Sequence, residues 1–65
     1  MTAEGKSGIY IEFVPKGNVV KVTAIDARTG TEASIVGPSN APRGALEAAA
    51  ARKLEYVLKK NRGSL

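Results

Sequence analysis

The chain has no cysteine, no histidine and no tryptophan, and it has a single phenylalanine among 65 residues. The missing cysteine excludes disulfides and thiolate metal sites, and the missing histidine removes the commonest metal ligand and general base. No apolar run approaches the about 18 residues that a membrane span needs. Residues 1–7 lack the apolar core of a signal peptide, so we expect a cytoplasmic setting, no membrane association and no cofactor.

Catalytic chemistry is also poorly provided for. The chain has six carboxylates, and none of them forms a pair typical of acid–base catalysis. Its serine and threonine hydroxyls have no histidine to activate them. A single-layer sheet with one helix offers little concavity for a small-molecule substrate. The sequence therefore predicts a protein that is not an enzyme.

Size points towards a partner. A domain of this length buries only about 60% of the surface that its unfolded chain exposes, and such domains commonly rely on disulfides, a metal or a second chain. Since this chain lacks cysteine and histidine, association with a second chain is the remaining means of stabilisation. The net charge of +4 and the pI of about 9.8 favour acidic partners through long-range attraction.

Two hydrophobic periods divide the chain. Apolar residues alternate over 8–37, as in half-buried strands, and recur every three to four residues over 41–61, as in an amphipathic helix. The pattern predicts an α+β fold, in which a three-stranded antiparallel β-meander is followed by one long C-terminal α-helix packed on one sheet face. The predicted divisions are a disordered tail at 1–7, one βββα domain at 8–62 and a frayed C-terminus at 63–65. Strands are predicted at 8–14, 19–26 and 31–36, with turns at 15–18 and 27–30.

The turns also predict how the strands pair. Closing the first turn with Val14 opposite Val19 places Glu12 opposite Lys21, an opposite-charge pair. Closing the second with Asp26 opposite Thr31 aligns the inner faces of all three strands. Ser39 or Asn40 is expected to cap the helix, with Pro42 in its first turn. The predicted core is Ile9, Ile11, Phe13, Val20, Val22, Ala24, Ala33, Ile35, Leu46, Ala50, Leu54, Val57 and Leu58.

Apolar side chains left outside that core suggest two candidate contact surfaces, the outer sheet face and a helix stripe that includes Tyr56. We predict an interaction module that self-associates, as a homodimer, or docks to another protein through the outer sheet face. The interface candidates are Tyr10, Val14, Val19, Ile25, Val36 and Tyr56. The alternative is weak nucleic-acid (RNA) binding through basic residues of the C-terminal helix. Its phosphate-contact candidates are Arg43, Arg52, Lys53, Lys59, Lys60 and Arg62.

Several short motifs are spread over most of the chain. They are Tyr10-Ile11-Glu12-Phe13, Gly17-Asn18, the run 20–26, Val36-Gly37-Pro38, Ala41-Pro42-Arg43 and the run 52–58. With these motifs, the stretch from Ile9 to Lys60 resembles a family of short bacterial domains of unknown function. Since that family is uncharacterised, the resemblance carries over no activity and no site residues.

A second likeness is architectural. The strand–strand–strand–helix order, with a glycine- and serine-containing turn before an alanine-rich helix at 45–56, resembles the C-terminal part of double-stranded-RNA-binding domains. The first helix of that family has no counterpart here. The lysine pair that opens its last helix is replaced by Ala41-Pro42, with Arg43 nearby. Recognition of duplex phosphates depends on such charge.

Overall fold

A computed structural model of the chain describes residues 8–63, apart from the side chain of Arg62. Three strands form one antiparallel sheet in the order β1-β2-β3, and one helix follows. This arrangement confirms the predicted α+β, β-β-β-α fold. The tail predicted at 1–7 and the last two residues of the predicted frayed end lie outside the described residues. The elements are β1 (Ile9–Lys16), β2 (Val19–Asp26), β3 (Glu32–Pro38) and α1 (Arg43–Gly63).

The first hairpin is tighter than the sequence pattern predicts. Instead of ending at Val14 opposite Val19, β1 continues to Lys16, which itself pairs with Val19. The turn contains just Gly17 and Asn18, and Gly17 has a φ of +61°, the sign that two-residue hairpin turns require at their first central position. The predicted register was therefore wrong by two residues. Because side chains alternate with a period of two, an even shift leaves every side chain on its predicted face.

Two prolines lie inside strands without breaking the sheet. Both Pro15 and Pro38 belong to edge strands, β1 and β3. In an antiparallel ladder every second residue takes part in the backbone hydrogen bonds, so one observed bond in each ladder shows which residues of β2 are involved. Odd-numbered residues of β2 bond to β1, and even-numbered residues bond to β3. Each proline lies opposite a β2 residue that does not bond to the proline's own strand. Its nitrogen therefore points away from the sheet, and no ladder bond is lost. The two observed bonds are Ala27 N–H to Gly8 O (2.7 Å) and Asp26 N–H to Thr31 O (2.8 Å).

The second hairpin has the predicted register and turn chemistry. Gly30 has a φ of +77° and donates its N–H to the carbonyl of Asp26 at 2.7 Å. The Asp26 carboxylate is buried and accepts a hydrogen bond from the Thr29 hydroxyl at 2.7 Å. The Thr29 oxygen in turn accepts the N–H of Thr31 at 3.2 Å. Asp26 therefore organises the turn from within, as Asp commonly does in such loops.

Replacing Gly17 by alanine should destabilise the domain. An L-residue in the left-handed region costs about 1–2 kcal/mol, and position 17 needs that conformation. We expect urea unfolding, followed by circular dichroism, to show a loss of about 1 kcal/mol for Gly17→Ala. Gly17→Asn is the matched control and should lose less, because asparagine tolerates this region. An alanine variant as stable as the parent would show that the turn readily adopts another geometry.

The helix begins later than its predicted caps. Pro42, predicted in the first turn, stands immediately before α1, and its carbonyl accepts the N–H of Leu46 at 3.2 Å. Pro42 is thus the residue that starts the helical bonding, a position where its missing N–H costs nothing. Ser39 and Asn40 lie too far upstream to cap the helix and form a turn instead.

A backbone hydrogen bond joins that turn to the first hairpin. The N–H of Ser39 donates to the carbonyl of Asn18 at 2.9 Å, and the N–H of Ala41 donates to the carbonyl of Pro38 at 3.0 Å. The entry to the helix is therefore held against the end of the sheet where β1 turns into β2.

The core is the predicted one. α1 packs on β2 and β3. Every buried apolar residue belongs to the predicted set, and Ala41 joins the partly buried residues around it. The helix approaches β3 closely at Gly37, where an added Cβ would lie 2.6 Å from Leu46 Cδ2. The buried apolar residues are Ile11, Val20, Val22, Ala24, Ala33, Leu46, Ala50 and Leu54.

Candidate interaction surface

The sheet face opposite α1, here called the outer face, is uncovered by any described element. Because the registers of both strand pairs are defined, its side chains form four rows of three across the sheet. From the end nearest the first turn, the rows are Lys16, Val19 and Pro38; Val14, Lys21 and Val36; Glu12, Thr23 and Ser34; Tyr10, Ile25 and Glu32.

Five of the six predicted interface residues lie on this face. Val36 is 65% exposed and Tyr10 is 43% exposed, and Val14 and Val19 are also exposed. Ile25 is half-buried among its neighbours. Half of the twelve positions on the outer face are apolar, whereas a solvated face of an antiparallel sheet is usually polar.

The charges on the outer face are separated by sign. Lys16 and Lys21 occupy the two rows nearest the first turn, and Glu12 and Glu32 occupy the two rows at the opposite end. The predicted pairing of Glu12 with Lys21 was wrong, since Glu12 lies opposite Thr23 and Lys21 lies opposite Val14. The two-residue change in register is the cause. The outer face therefore has one basic end and one acidic end.

A hydroxyl pair lies between those ends. Thr23 Oγ1 and Ser34 Oγ are 2.8 Å apart, and Thr23 is only 5% exposed although no helix covers it. The two residues form a non-hydrogen-bonded pair in the ladder, the kind in which facing side chains are closest. The two hydroxyls share one hydrogen bond, so part of their hydrogen-bonding capacity is satisfied within the sheet.

Tyr56 lies elsewhere. It is on α1, which packs on the inner side of the sheet, and its side chain is 63% exposed. The structure therefore places Tyr56 in the other layer of the domain, and it cannot share one flat surface with the five residues of the outer face.

Two of the predicted phosphate contacts are engaged within the fold. The guanidinium carbon of Arg43 lies 4.3 Å from the ring centroid of Phe13, a cation–π geometry. The Lys53 ammonium donates to the carbonyl of Ser34 at 2.7 Å. Since Ser34 is in a non-hydrogen-bonded pair, that carbonyl points away from β2, and Lys53 covers part of the free edge of β3.

The remaining basic candidates are dispersed along α1. Arg52, Lys59 and Lys60 are exposed, and the side chain of Arg62 lies outside the described residues. Lys59 shares a shallow depression of about 520 Å³ with Arg28 from the second turn. Sequence reasoning did not single out Arg28, because the four-residue turn between strands does not reveal which helix residue it approaches. The depression is lined by Arg28, Thr29, Thr31, Glu55, Leu58, Lys59 and Asn61.

A second depression, of about 530 Å³, lies beside the helix on the inner side of β1. Apolar and small side chains form most of it, and Arg52 and Glu55 stand at its border. It is lined by Ile9, Ala48, Ala51, Arg52, Leu54, Glu55 and Leu58.

Within residues 8–63, no three acidic side chains come together in a way that could hold a metal ion. The same part of the chain contains no helix with the length and apolarity that crossing a bilayer requires.

Comparison with known proteins agrees with one resemblance and adds no activity. A model of a domain of unknown function, DUF6898, matches residues 6–61. No curated protein and no solved structure matches the chain. The match carries no statement about a bacterial source or about double-stranded-RNA-binding domains. Since the matched residues are most of its length, the chain belongs to the DUF6898 family, a family of domains of unknown function.

Proposed function

We propose that this domain is a non-enzymatic interaction module that binds another polypeptide through its outer face. The observation that carries the proposal is the row structure of that face, in which Val14, Val19, Val36 and Tyr10 are exposed together on one side of a single sheet. A sheet with one apolar side normally buries it against a second layer. The predicted cytoplasmic setting remains a prediction.

The size of the core supports the same conclusion. The largest fully buried side chains are Leu54 and Val22, and three of the eight buried core residues are alanines. Few large side chains are therefore removed from water by folding alone. A partner covering Val36 and its neighbours would bury further apolar area at roughly 25 cal/mol per Å².

A photoreactive residue at position 36 tests this proposal in cells. We expect a photoreactive phenylalanine derivative in place of Val36 to cross-link to a polypeptide that mass spectrometry identifies. Tyr56 provides the matched control, because it is as exposed as Val36 but lies on the helix layer. Cross-linking from position 56 and not from position 36 would place the contact surface on the helix and contradict the proposal. The absence of cross-links from both positions would also contradict it.

Nucleic-acid binding, the alternative from sequence, has less support. Arg43 contacts Phe13 and Lys53 contacts Ser34, so two of its six candidates serve the fold. Dispersed cations can bind phosphate weakly, and such binding falls steeply as salt rises. This alternative requires that the protein raise the fluorescence anisotropy of a labelled duplex RNA at low salt, and that the increase be lost at physiological salt.

A further inference from the structure

We infer that the polypeptide that covers the outer face is a second copy of this chain, packed with its strands running in the reverse direction. This inference rests on the proposed function and names the partner. It follows from the separation of Lys16 and Lys21 from Glu12 and Glu32 along the strand axis.

Symmetry leaves two simple ways to stack two identical sheets face to face. If the two-fold axis runs parallel to the strands, the basic end of one copy lies on the basic end of the other. If the axis runs across the strands, between the rows of Lys21 and Thr23, each basic end lies on an acidic end. The second arrangement is attractive and the first is repulsive, so electrostatics selects the axis that crosses the strands.

One apolar pair, Val19 with Ile25, also meets in that same arrangement. Reversal about an axis across the strands keeps β2 over β2 and brings the row of Val19 onto the row of Ile25, in both halves of the interface. These contacts lie near the two ends of the interface. Its centre, at the axis, is polar, because Val14 lies over Glu12 and Val36 over Ser34 of the second copy. Lys21 lies over Thr23 of the second copy, beside that copy's Glu12. Two sheets stacked in this way are the aligned sandwich common in all-β proteins, about 10 Å apart.

The contact is small, and this decides the conditions of the test. Three strands about 4.8 Å apart, each roughly 27 Å long, give an outer face on the order of 400 Å² per copy. About 800 Å² for two copies is below the roughly 1,200 Å² of standard interfaces, a size typical of weak and reversible association. The dimer should therefore be sought from about 10 µM to about 1 mM.

Exchange of charges between two variants tests the arrangement. One variant carries Lys16→Glu and Lys21→Glu, and the other carries Glu12→Lys and Glu32→Lys. Each variant alone places like charges against each other, and sedimentation equilibrium should show at least a roughly tenfold weaker dimer than the parent chain. Mixed in equal amounts they regain complementarity, and native mass spectrometry should show a heterodimer. The parent dimer should weaken as salt rises.

A third variant, Arg52→Glu with Lys60→Glu, makes the same change in net charge as the first but on exposed helix positions. It should dimerise like the parent, and circular dichroism verifies that all variants remain folded. A parent chain that stays monomeric near 1 mM, a mixture that forms no heterodimer, or a helix variant as weak as the first would overturn the inference. If the photoreactive residue at position 36 then still cross-links to a different protein, the proposed function stands although the dimer inference fails. If position 36 cross-links to nothing, both the proposed function and the dimer inference fail.

Discussion

Leu54→Ala is expected to remove much of the stability of this domain. Leu54 is completely buried, at 0% exposure, and is one of the two largest fully buried side chains. Truncating a buried leucine removes its transfer free energy and leaves a cavity, at a cost of about 2–5 kcal/mol. The whole domain, at roughly 0.05–0.15 kcal/mol per residue, has on the order of 3–10 kcal/mol to lose. Urea unfolding followed by circular dichroism measures the difference.

Tyr56→Ala supplies the comparison for Leu54→Ala. Tyr56 lies two residues further along the same helix, and its side chain is mostly exposed. Its truncation should change the free energy of unfolding by no more than about 0.5 kcal/mol. Equal losses for the two variants would mean that α1 does not pack through Leu54 as described here.

Gly37→Ala is expected to cost about 1–3 kcal/mol, the usual range for an overpacked contact. An alanine Cβ at position 37 would lie 2.6 Å from Leu46 Cδ2, so the leucine must move, and Leu46 is itself buried between helix and sheet. Glycine at this position therefore suits the close approach of α1 to β3. The loss should appear as a lower urea midpoint with an unchanged slope.

Two further variants identify the cause of that loss. Gly44 is exposed in the first turn of α1 with nothing within 4 Å of its missing Cβ, so Gly44→Ala should stabilise the domain by up to about 1 kcal/mol. In a Leu46→Ala background the clash disappears, and Gly37→Ala should then cost less than it does in the parent. An undiminished cost there would attribute the effect to the strand backbone instead of to Leu46.

The fold could be predicted because the two hydrophobic periods are unambiguous. Alternation determines which side of each strand faces inwards, and that assignment survives any even change in pairing. This is why the core around Val22, Ala24 and Leu54 was predicted in full. The caps at Ser39 and Asn40 were wrong because tertiary contacts hold those residues in a turn against Asn18, a contact that local sequence does not report.

The register of the first hairpin could not be predicted in the same way. Pro15 and Lys16 look like turn residues, and a turn of four and a turn of two place the same side chains inwards. What distinguishes them is the outward position of the proline nitrogen on an edge strand, which depends on the pairing itself. The error hid the most informative property of the candidate surface, since it placed Glu12 against Lys21 and mixed charges that the structure keeps apart.

The candidate site was predicted residue by residue with uneven success. Side-chain parity placed Tyr10 and Val36 on one face, and the structure agrees. Tyr56 was predicted as an interface candidate on the helix, and the structure places it on α1, in the layer opposite the outer face. The contact of Arg43 with Phe13 joins residues that are 30 positions apart in the chain, so no local sequence pattern predicts it.

The outward nitrogens of Pro15 and Pro38 have a consequence for how copies of this chain can accumulate. Fibrils grow when a strand of each added chain forms hydrogen bonds with an exposed border of the sheet. Here both borders carry an imino acid that has no proton to offer, and the ammonium of Lys53 already occupies a carbonyl at one of them. Each border therefore has one hydrogen-bond donor fewer for an added strand, which disfavours strand addition at these two positions.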